Sequence, residues 1–421
     1  RIGYPLPTSP PVGQYSHRSF SKHPSGMPLL AKRLQRLSPY EMHSFEIPQT
    51  ILDDLWDENV WAAKTPSRIF LPKTAKSVFE GARKVKEGTH NSGIDLQEAY
   101  SVKTNPNRSF MILANRNGML AETITASEVE HAVRSGFSTD RIIVNGPAQF
   151  WPSEFRTKTR FAAVFADSIE RLGHLIKQIG LADVIGVRVR PPGIQSRFGV
   201  NLEEPETFFR LANLLRESDA RQYLGVHFHV STDLIGTRRW CEVCQSVLRW
   251  AEAIEESTGR AINCIDVGGG WFPEDFVEEF TAYIPKAIEA ARRMLPEIRT
   301  FILEPGKALV QPCMALVTRV LEVRHSQKNY DVVVDGSMCE LPMASFFPHR
   351  MLAFGRDGSV FPLTDGVDRI LGRNCMEWDV IAPSVTIPPW LENEDLIVIC
   401  DAGAYDASMA YDFGKGGSHL D

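Results

Sequence analysis

Ala-Ile-Asn-Cys-Ile-Asp-Val-Gly-Gly-Gly-Trp-Phe-Pro, residues 261–273, carries the pattern from which the fold is read. The apolar, β-branched run at 262–267 has the length and composition of a buried strand. Three glycines end it, and after the turn at Gly268–Pro273 a polar helical stretch runs over Asp275–Met294. A new apolar run at 300–303 starts the unit again. Upstream the same alternation holds, with apolar runs near 98–103, 119–124, 141–145, 161–165, 184–189 and 223–230. Between 230 and 262, Trp240, Val243, Cys244, Val247, Ala251 and Ile254 recur at helical spacing within Trp240–Ser257. Eight strands alternating with helices predict an α/β fold of the (β/α)8 TIM-type barrel kind.

After residue 312 the rhythm changes. The runs Ala315–Val323, Asp331–Val334, Asp379–Ile381 and Leu396–Cys400 are separated by Pro, Gly and Asn without helical spacers, which predicts a C-terminal antiparallel β domain. His43–Leu52 is expected to add a strand to it. The expected organisation is a flexible arm over 1–28, rich in Pro and Ser, a leading segment over 29–79 that contributes to the β domain, a barrel over 80–312, and the β domain over 313–421.

The bulk properties narrow the function. With 421 residues, 43% of them hydrophobic, the chain can bury a large core, and a net charge of −6 offers no general attraction to nucleic acid or anionic lipid. No apolar run approaches the roughly 18 residues of a membrane span. Seven scattered cysteines point to free thiols in a reducing, cytoplasmic setting rather than to a disulfide framework. Cys241 and Cys244 are spaced like half a zinc site, but no second pair follows and both lie in a helical pattern, so no metal is expected.

Catalytic residues of such barrels sit at the C-terminal strand ends, and here those ends carry Lys103, Glu122, Asn145, Arg188, His229, Gly268–Gly270 and Glu304. A lysine that closes an apolar strand is costly unless its amine is paired, deprotonated or covalently used, although it can also snorkel to solvent. Three glycines after a strand leave bare amides that can cradle a phosphate; a plain tight turn is the simpler alternative. A nucleotide loop ending in Lys-Ser/Thr is absent, which favours a small phosphorylated cofactor. A carboxylate at Glu304 would stabilise a protonated pyridine, or else pair with a nearby cation. His229 and His227 alternate along one strand, so both can face inward, and an imidazole can stack on a cofactor ring or be a satisfied core residue.

Taken in order, these segments resemble the barrel-type pyridoxal 5′-phosphate amino acid decarboxylases, which include diaminopimelate, ornithine and arginine decarboxylases. The resemblance covers about 97–413: Tyr-Ser-Val-Lys-Thr-Asn-Pro (100–106), Glu-Thr-Ile-Thr-Ala-Ser-Glu (122–128), Ala-Asp-Ser (166–168), Arg-Phe-Gly-Val (197–200), His-Phe-His-Val-Ser-Thr (227–232), Asp-Val-Gly-Gly-Gly (266–270) and Glu-Pro-Gly-Lys (304–307). It continues through Val-Val-Asp-Gly-Ser-Met (333–338), Gly-Arg-Asn-Cys (372–375) with Asp379, and Asp-Ala-Gly-Ala-Tyr (401–405).

The resemblance implies a decarboxylase in which Lys103 carries the cofactor as a Schiff base, His229 stacks on its ring and Glu304 pairs with its pyridine nitrogen. Thr232, Gly268, Gly269, Gly270, Gly306, Lys307 and Tyr405 would form the phosphate shell, with Glu122 and Arg188 supporting lysine and ring. Cys375 matches a cysteine that enters the partner subunit's site as general acid, so the resemblance implies a homodimer with shared active sites. Departures blur the substrate. Lys307 stands where the family usually has arginine, and Met376 and Pro348 where acids bind a distal amine; the segment around Met343 lacks the arginine of the diaminopimelate type. His349, Arg350, Arg373 and Glu377 are the polar candidates for a different distal group on a small-molecule amino acid substrate, a diamino acid or a conjugated one, and a larger substrate with a distal carboxylate or amide is expected. A racemase of the same fold is the second enzyme reading; it would place arginine at the pyridine nitrogen, which Glu304 argues against. A non-catalytic regulator would be expected to lose Lys103, Glu304 or Cys375, and this chain keeps them.

Overall fold

The computed structural model describes residues 46–414 apart from 88, 90–92, 148–159, 179, 219–221 and 327. The arm over 1–28 lies outside these residues. The first strand, β1 (Ser67–Phe70), precedes a closed parallel barrel of β2 (Asp95–Ser101), β3 (Leu120–Thr123), β4 (Ile142–Val144), β5 (Phe161–Ala166), β6 (Ala182–Arg188), β7 (Tyr223–His227), β8 (Ile262–Asp266) and β9 (Thr300–Leu303). β2 and β9 close it, with Asp95 opposite Thr300 and Glu98 opposite Leu303. The eight runs read from the sequence are these eight strands.

Polar residues placed just after the strands start the helices. The side chains of Asn107, Thr125 and Ser168 accept the amides of Ser109, Glu128 and Arg171, capping helices at Arg108–Arg116, Ala126–Arg134 and Ile169–Ile176. The helix Thr237–Thr258 buries Trp240, Val243, Cys244, Val247, Ala251 and Ile254 along one stripe and ends on Gly259 at φ 69°. Cys241 and Cys244 are therefore helix residues, with Cys244 in the core. Inside the barrel Ala99, Ile143, Ala163, Phe165, Val184, Cys264 and Ile302 pack together. The Phe165 ring occupies the space that Gly186 and Gly225 leave open, since a β-carbon at either position would collide with it.

The β domain is a sheet in the order β13 (Val360–Pro362), β12 (Met351–Phe354), β16 (Leu396–Ile399), β10 (Met314–His325), β11 (Tyr330–Val334), β14 (Asp368–Leu371), β15 (Val380–Val385), with β1 paired to β10. All pairs are antiparallel except β11 with β14. One expectation is corrected. His43–Leu52 supplies no strand among its described residues: Gln49–Asp57 is a helix that buries Ile51 and Leu55 against Ala315, Val317, Leu352 and Val398. Its apolar residues, spaced four apart, match a helical period rather than a strand's. The added strand is β1, with Ser67 opposite Val317 and Phe70 opposite Met314.

One buried carboxyl oxygen on β2 lacks a partner among the described residues: Glu98 is 3% exposed, and its Oε1 accepts no hydrogen bond there. Burial pushes its carboxyl up to about 8, only partly opposed by Lys86. The folded chain thus holds a proton that the unfolded chain releases near the ordinary glutamate value, so stability should fall as pH rises between about 4.5 and 8, by on the order of 1.4 kcal/mol per unit. Glu98→Gln should remove that slope. Its thermal midpoint is expected to match the parent near pH 4.5 and to exceed it at pH 8; a midpoint at or below the parent's at pH 8 would contradict the reading.

Candidate active site

Four strand ends converge on Lys103. β2 runs past Ser101 into a single 3₁₀ turn, Val102–Thr104, which lifts Lys103 to the barrel mouth with its side chain 33% exposed. Its Nζ donates to Ser101 Oγ at 2.7 Å and to Oε2 of Glu122, a β3 residue that is almost wholly buried. Ser101 Oγ also donates to that carboxylate at 2.6 Å. Burial works against the ammonium, but Glu122, Glu304 and Tyr405 outweigh it and hold the lysine above its ordinary pKa.

Glu304 follows β9, the strand that pairs with β2 where the barrel closes. Asn145 Nδ2 donates to its Oε1, and His227 Nε2 lies 3.7 Å from its Oε2. Burial alone would neutralise Glu304, but His227, Lys103 and His229 bring it down to about 2. Beneath it, burial and the charge of Glu304 push Asp266 well up, so the proton of this carboxyl pair rests on Asp266 and Glu304 stays ionised. His229 accepts the Gly269 amide at Nδ1, 3.1 Å away, which leaves the ring neutral with its proton on Nε2. Burial, with Arg188 next, lowers its pKa to about 3. Arg188 ends β6 with its guanidinium 4.9 Å from the Phe198 ring centre.

Around these groups lies a cavity of about 200 Å³ lined by Ser101, Lys103, Thr104, His229, Ser231, Gly270, Glu304, Gly306, Lys307, Phe347 and Tyr405. A wider, open chamber of about 580 Å³ meets it at Lys103 and Tyr405 and continues past Thr125, Ser127, Glu128, His131 and Met409. Lys307 is buried with Nζ 3.7 Å from the Phe272 ring centre and 5.1 Å from that of Phe347. Tyr405 enters from the β domain in a left-handed conformation, φ 66°, which costs a bulky residue roughly 1–3 kcal/mol and persists only where the surroundings enforce it. Its amide donates to Thr104 O at 2.9 Å, and Gly403 passes so close to Val310 that no β-carbon would fit.

Residues 80–311, more than half of the chain, match the family model described as the pyridoxal-binding domain of pyridoxal-dependent decarboxylases. The chain belongs to this family. With it come the cofactor, pyridoxal 5′-phosphate, and the reaction, loss of the carboxylate of an amino acid. Among curated relatives, the diaminopimelate decarboxylase of Bacteroides thetaiotaomicron is 23% identical over 336 residues, 74% of this chain and 84% of that one. The L-glutamyl-[BtrI acyl-carrier protein] decarboxylase of Niallia circulans is 24% identical over 344 residues, 75% of this chain and 79% of its own. Among solved structures, a diaminopimelate decarboxylase from M. jannaschii superposes with a TM-score of 0.72 at 21% identity, covering 85% of this chain and 86% of that one. It shares the fold.

The cavity of this decarboxylase fits its cofactor. It offers an amine, an ionised carboxylate and a flat neutral imidazole for a substituted pyridine, and at one end the amides of Gly270 and Gly306, which donate to no protein acceptor among the described residues. Thr104 Oγ1 is buried beside Gly306 with no hydrogen-bond partner among the described residues. Of the residues singled out in the sequence, Lys103, His229, Gly270, Glu304, Gly306, Lys307 and Tyr405 line the cavity, and Glu122 touches Lys103. Gly268 and Gly269 lie just behind, packed against His229 and Glu304. Both the Ser231 and Thr232 hydroxyls donate to Gly270 O, but Thr232 is buried and it is Ser231 that lines the cavity. Ser101, Thr104 and Ser231 stand inside motifs already recognised; Phe347 had no signal. Cys375, Met376 and Glu377 lie in the loop after β14, outside both cavities, with Cys375 exposed. His349, Arg350 and Arg373 are each bound to a carboxylate of their own chain: Asp406 at 2.9 Å, Asp401 at 2.5 Å and Glu340 at 2.8 Å.

Gly306→Ala tests the phosphate end. A β-carbon there would strike Thr104 Oγ1, so the variant should fold but hold pyridoxal phosphate at least about tenfold more weakly, a loss of roughly 1.4 kcal/mol. Unchanged affinity in an equilibrium titration would move the phosphate elsewhere.

Proposed function

We propose that this decarboxylase acts on an amino acid with a large, uncharged distal arm, at a site where Lys103 anchors the cofactor. The observation that carries the assignment is the convergence of Lys103, Glu304 and His229 on one small cavity, with Glu122 bonded to Lys103 behind it. Pyridoxal phosphate, when bound, supplies the electron sink for loss of the α-carboxylate. The chain supplies the rest. Glu304, kept ionised by its surroundings, holds the ring nitrogen protonated, and neutral His229 presents its face for stacking. Gly270, Gly306, Ser231 and Tyr405 hold the phosphate, backed by Gly268, Gly269 and Thr232, while Lys307 adds a positive charge at that end. Glu122 and Ser101 take up and return the proton of the Lys103 amine, and Arg188 supports the ring from β6. Keeping Glu304 rather than an arginine favours decarboxylation over racemisation.

The distal arm is inferred from what its surroundings leave free. The three basic side chains that would greet a distal carboxylate, His349, Arg350 and Arg373, are neutralised internally. Met376 offers no acid for a distal ammonium, and Glu128, the acid in the wide chamber, already accepts the Ile124 amide. An amide- or ester-linked arm running out through that open chamber suits both facts, and the name of the Niallia circulans relative describes a glutamyl group on a carrier protein. Ornithine, lysine and meso-diaminopimelate should release carbon dioxide poorly, and side-chain-conjugated amino acids should do so efficiently; Lys103→Ala should release none from either. Efficiency on a free diamino acid above about 10⁴ M⁻¹s⁻¹ would overturn the distal reading, with Glu377 the first residue to examine as amine partner.

The site is completed by a second copy of the chain in a cytoplasmic homodimer, a setting that seven free thiols suit. Asp379 ties down the loop after β14 by accepting the amides of Met338 and Asn374, each at 2.7 Å. This fixes Cys375 facing outward, beside exposed Trp378, on a surface suited to burial against a partner. Cys375 then acts as proton donor in the partner's site. Lys103→Ala and Cys375→Ala, each inactive alone, should regain up to about a quarter of parental activity after mixing and subunit exchange. No recovery despite demonstrated exchange would place Cys375 outside the chemistry.

A further inference from the structure

His349 is buried at the junction of the β domain and the barrel mouth. Both of its ring nitrogens face acceptors: Nδ1 lies 3.1 Å from Phe347 O and Nε2 lies 2.9 Å from Asp406 Oδ2. A carbonyl and a carboxylate can only accept, so the ring that satisfies both is the doubly protonated imidazolium. Its two partners adjoin the lining of the small cavity. Phe347 lines that cavity, and Asp406 immediately follows Tyr405, which lines it too. Asp406 also accepts the Met343 amide at Oδ1, 3.0 Å away, and its carbonyl takes the Arg68 guanidinium at 3.1 Å.

We infer that the His349–Asp406 ion pair is a proton-dependent clamp that holds Phe347 and Tyr405 in place as the walls of the cofactor cavity, making both residues of the pair positioning groups. The inference rests on the assignment of that cavity to pyridoxal phosphate. The left-handed Tyr405 needs holding on both sides, and the pair supplies one side while Arg350, bidentate on Asp401, supplies the other. The charged groups facing the clamp are Asp406, Asp401 with its partner Arg350, and Arg68 with Glu340, whose carbonyl Arg68 also holds. Burial opposes the imidazolium, but Asp406, then Asp401 and the Phe347 carbonyl, raise its pKa above the ordinary histidine value. A raised histidine pKa makes the clamp complete at and below about pH 6.5 and opens it as pH climbs through the folded value. Loss of either N–H then sets a lone pair against an acceptor and releases one wall.

The test is the pH dependence of pyridoxal phosphate affinity, followed by equilibrium titration of the apoenzyme. In the unaltered chain the dissociation constant should be level to about pH 6.5 and rise above it; a level curve throughout overturns the clamp. Asp406→Asn keeps the shape of the pair but removes the charge that raises His349, so the rise should begin at least one pH unit lower. That leaves binding about tenfold weaker near neutrality and parental at pH 5.5. His349→Gln, with no titrating ring, should bind weakly at every pH with the rise abolished, and it serves where Asp406→Asn fails to fold. Curves that overlay the parent's overturn the clamp. Trapping of the cofactor on Lys103 by borohydride in the same samples shows whether the cavity assignment stands independently of that outcome.

Discussion

A lysine ammonium at the mouth of an apolar barrel is tenable here because Glu122 and Ser101 receive it, and much of the active-site architecture follows from that pairing. Glu122 is buried on β3, so the charge it carries is costly unless Lys103 stays within reach. The pair thereby fixes the amine over the cavity. Removing either partner would leave an uncompensated charge in a low-dielectric site, a change typically worth about 3–5 kcal/mol. Lys103 in turn is one of the charges that keep Glu304, at the end of the neighbouring strand, ionised.

Within one chain the β domain shapes the cavity without contributing much chemistry to it. Its loops bring Phe347 and Tyr405 to the cavity, and its ion pairs serve to set those loops. Arg350 with Asp401, His349 with Asp406 and Arg373 with Glu340 form a band of internal pairs around the barrel mouth. Each neutralises a basic side chain within the chain itself. The same economy explains why the loop bearing Cys375 is tightly held by Asp379 and yet points away from its own cavity.

The barrel was legible because its strands and helices differ in apolar period, and because glycines, lysine and carboxylates fall at strand ends. The barrel residues that line the cavity were legible for the same reason. Three features were not. Gln49–Asp57 lies beside extended sequence, and only the four-residue spacing of Ile51 and Leu55 marks it as helix. Thr232 and Ser231 are adjacent, and one residue of register decides which faces the cavity. His349, Arg350 and Arg373 read as free cations because their partners, at Asp406, Asp401 and Glu340, are brought to them by tertiary folding. Spacing along the chain carries no trace of such pairings.

The most direct measurement is borohydride reduction of the holoenzyme followed by peptide mapping. With Lys103 as the cofactor anchor, the reduced pyridoxyl group should be found on the peptide that contains Tyr100–Pro106 and on no other, at one equivalent per chain. Labelling of a different lysine, or of none while the cofactor remains bound, would contradict the central assignment.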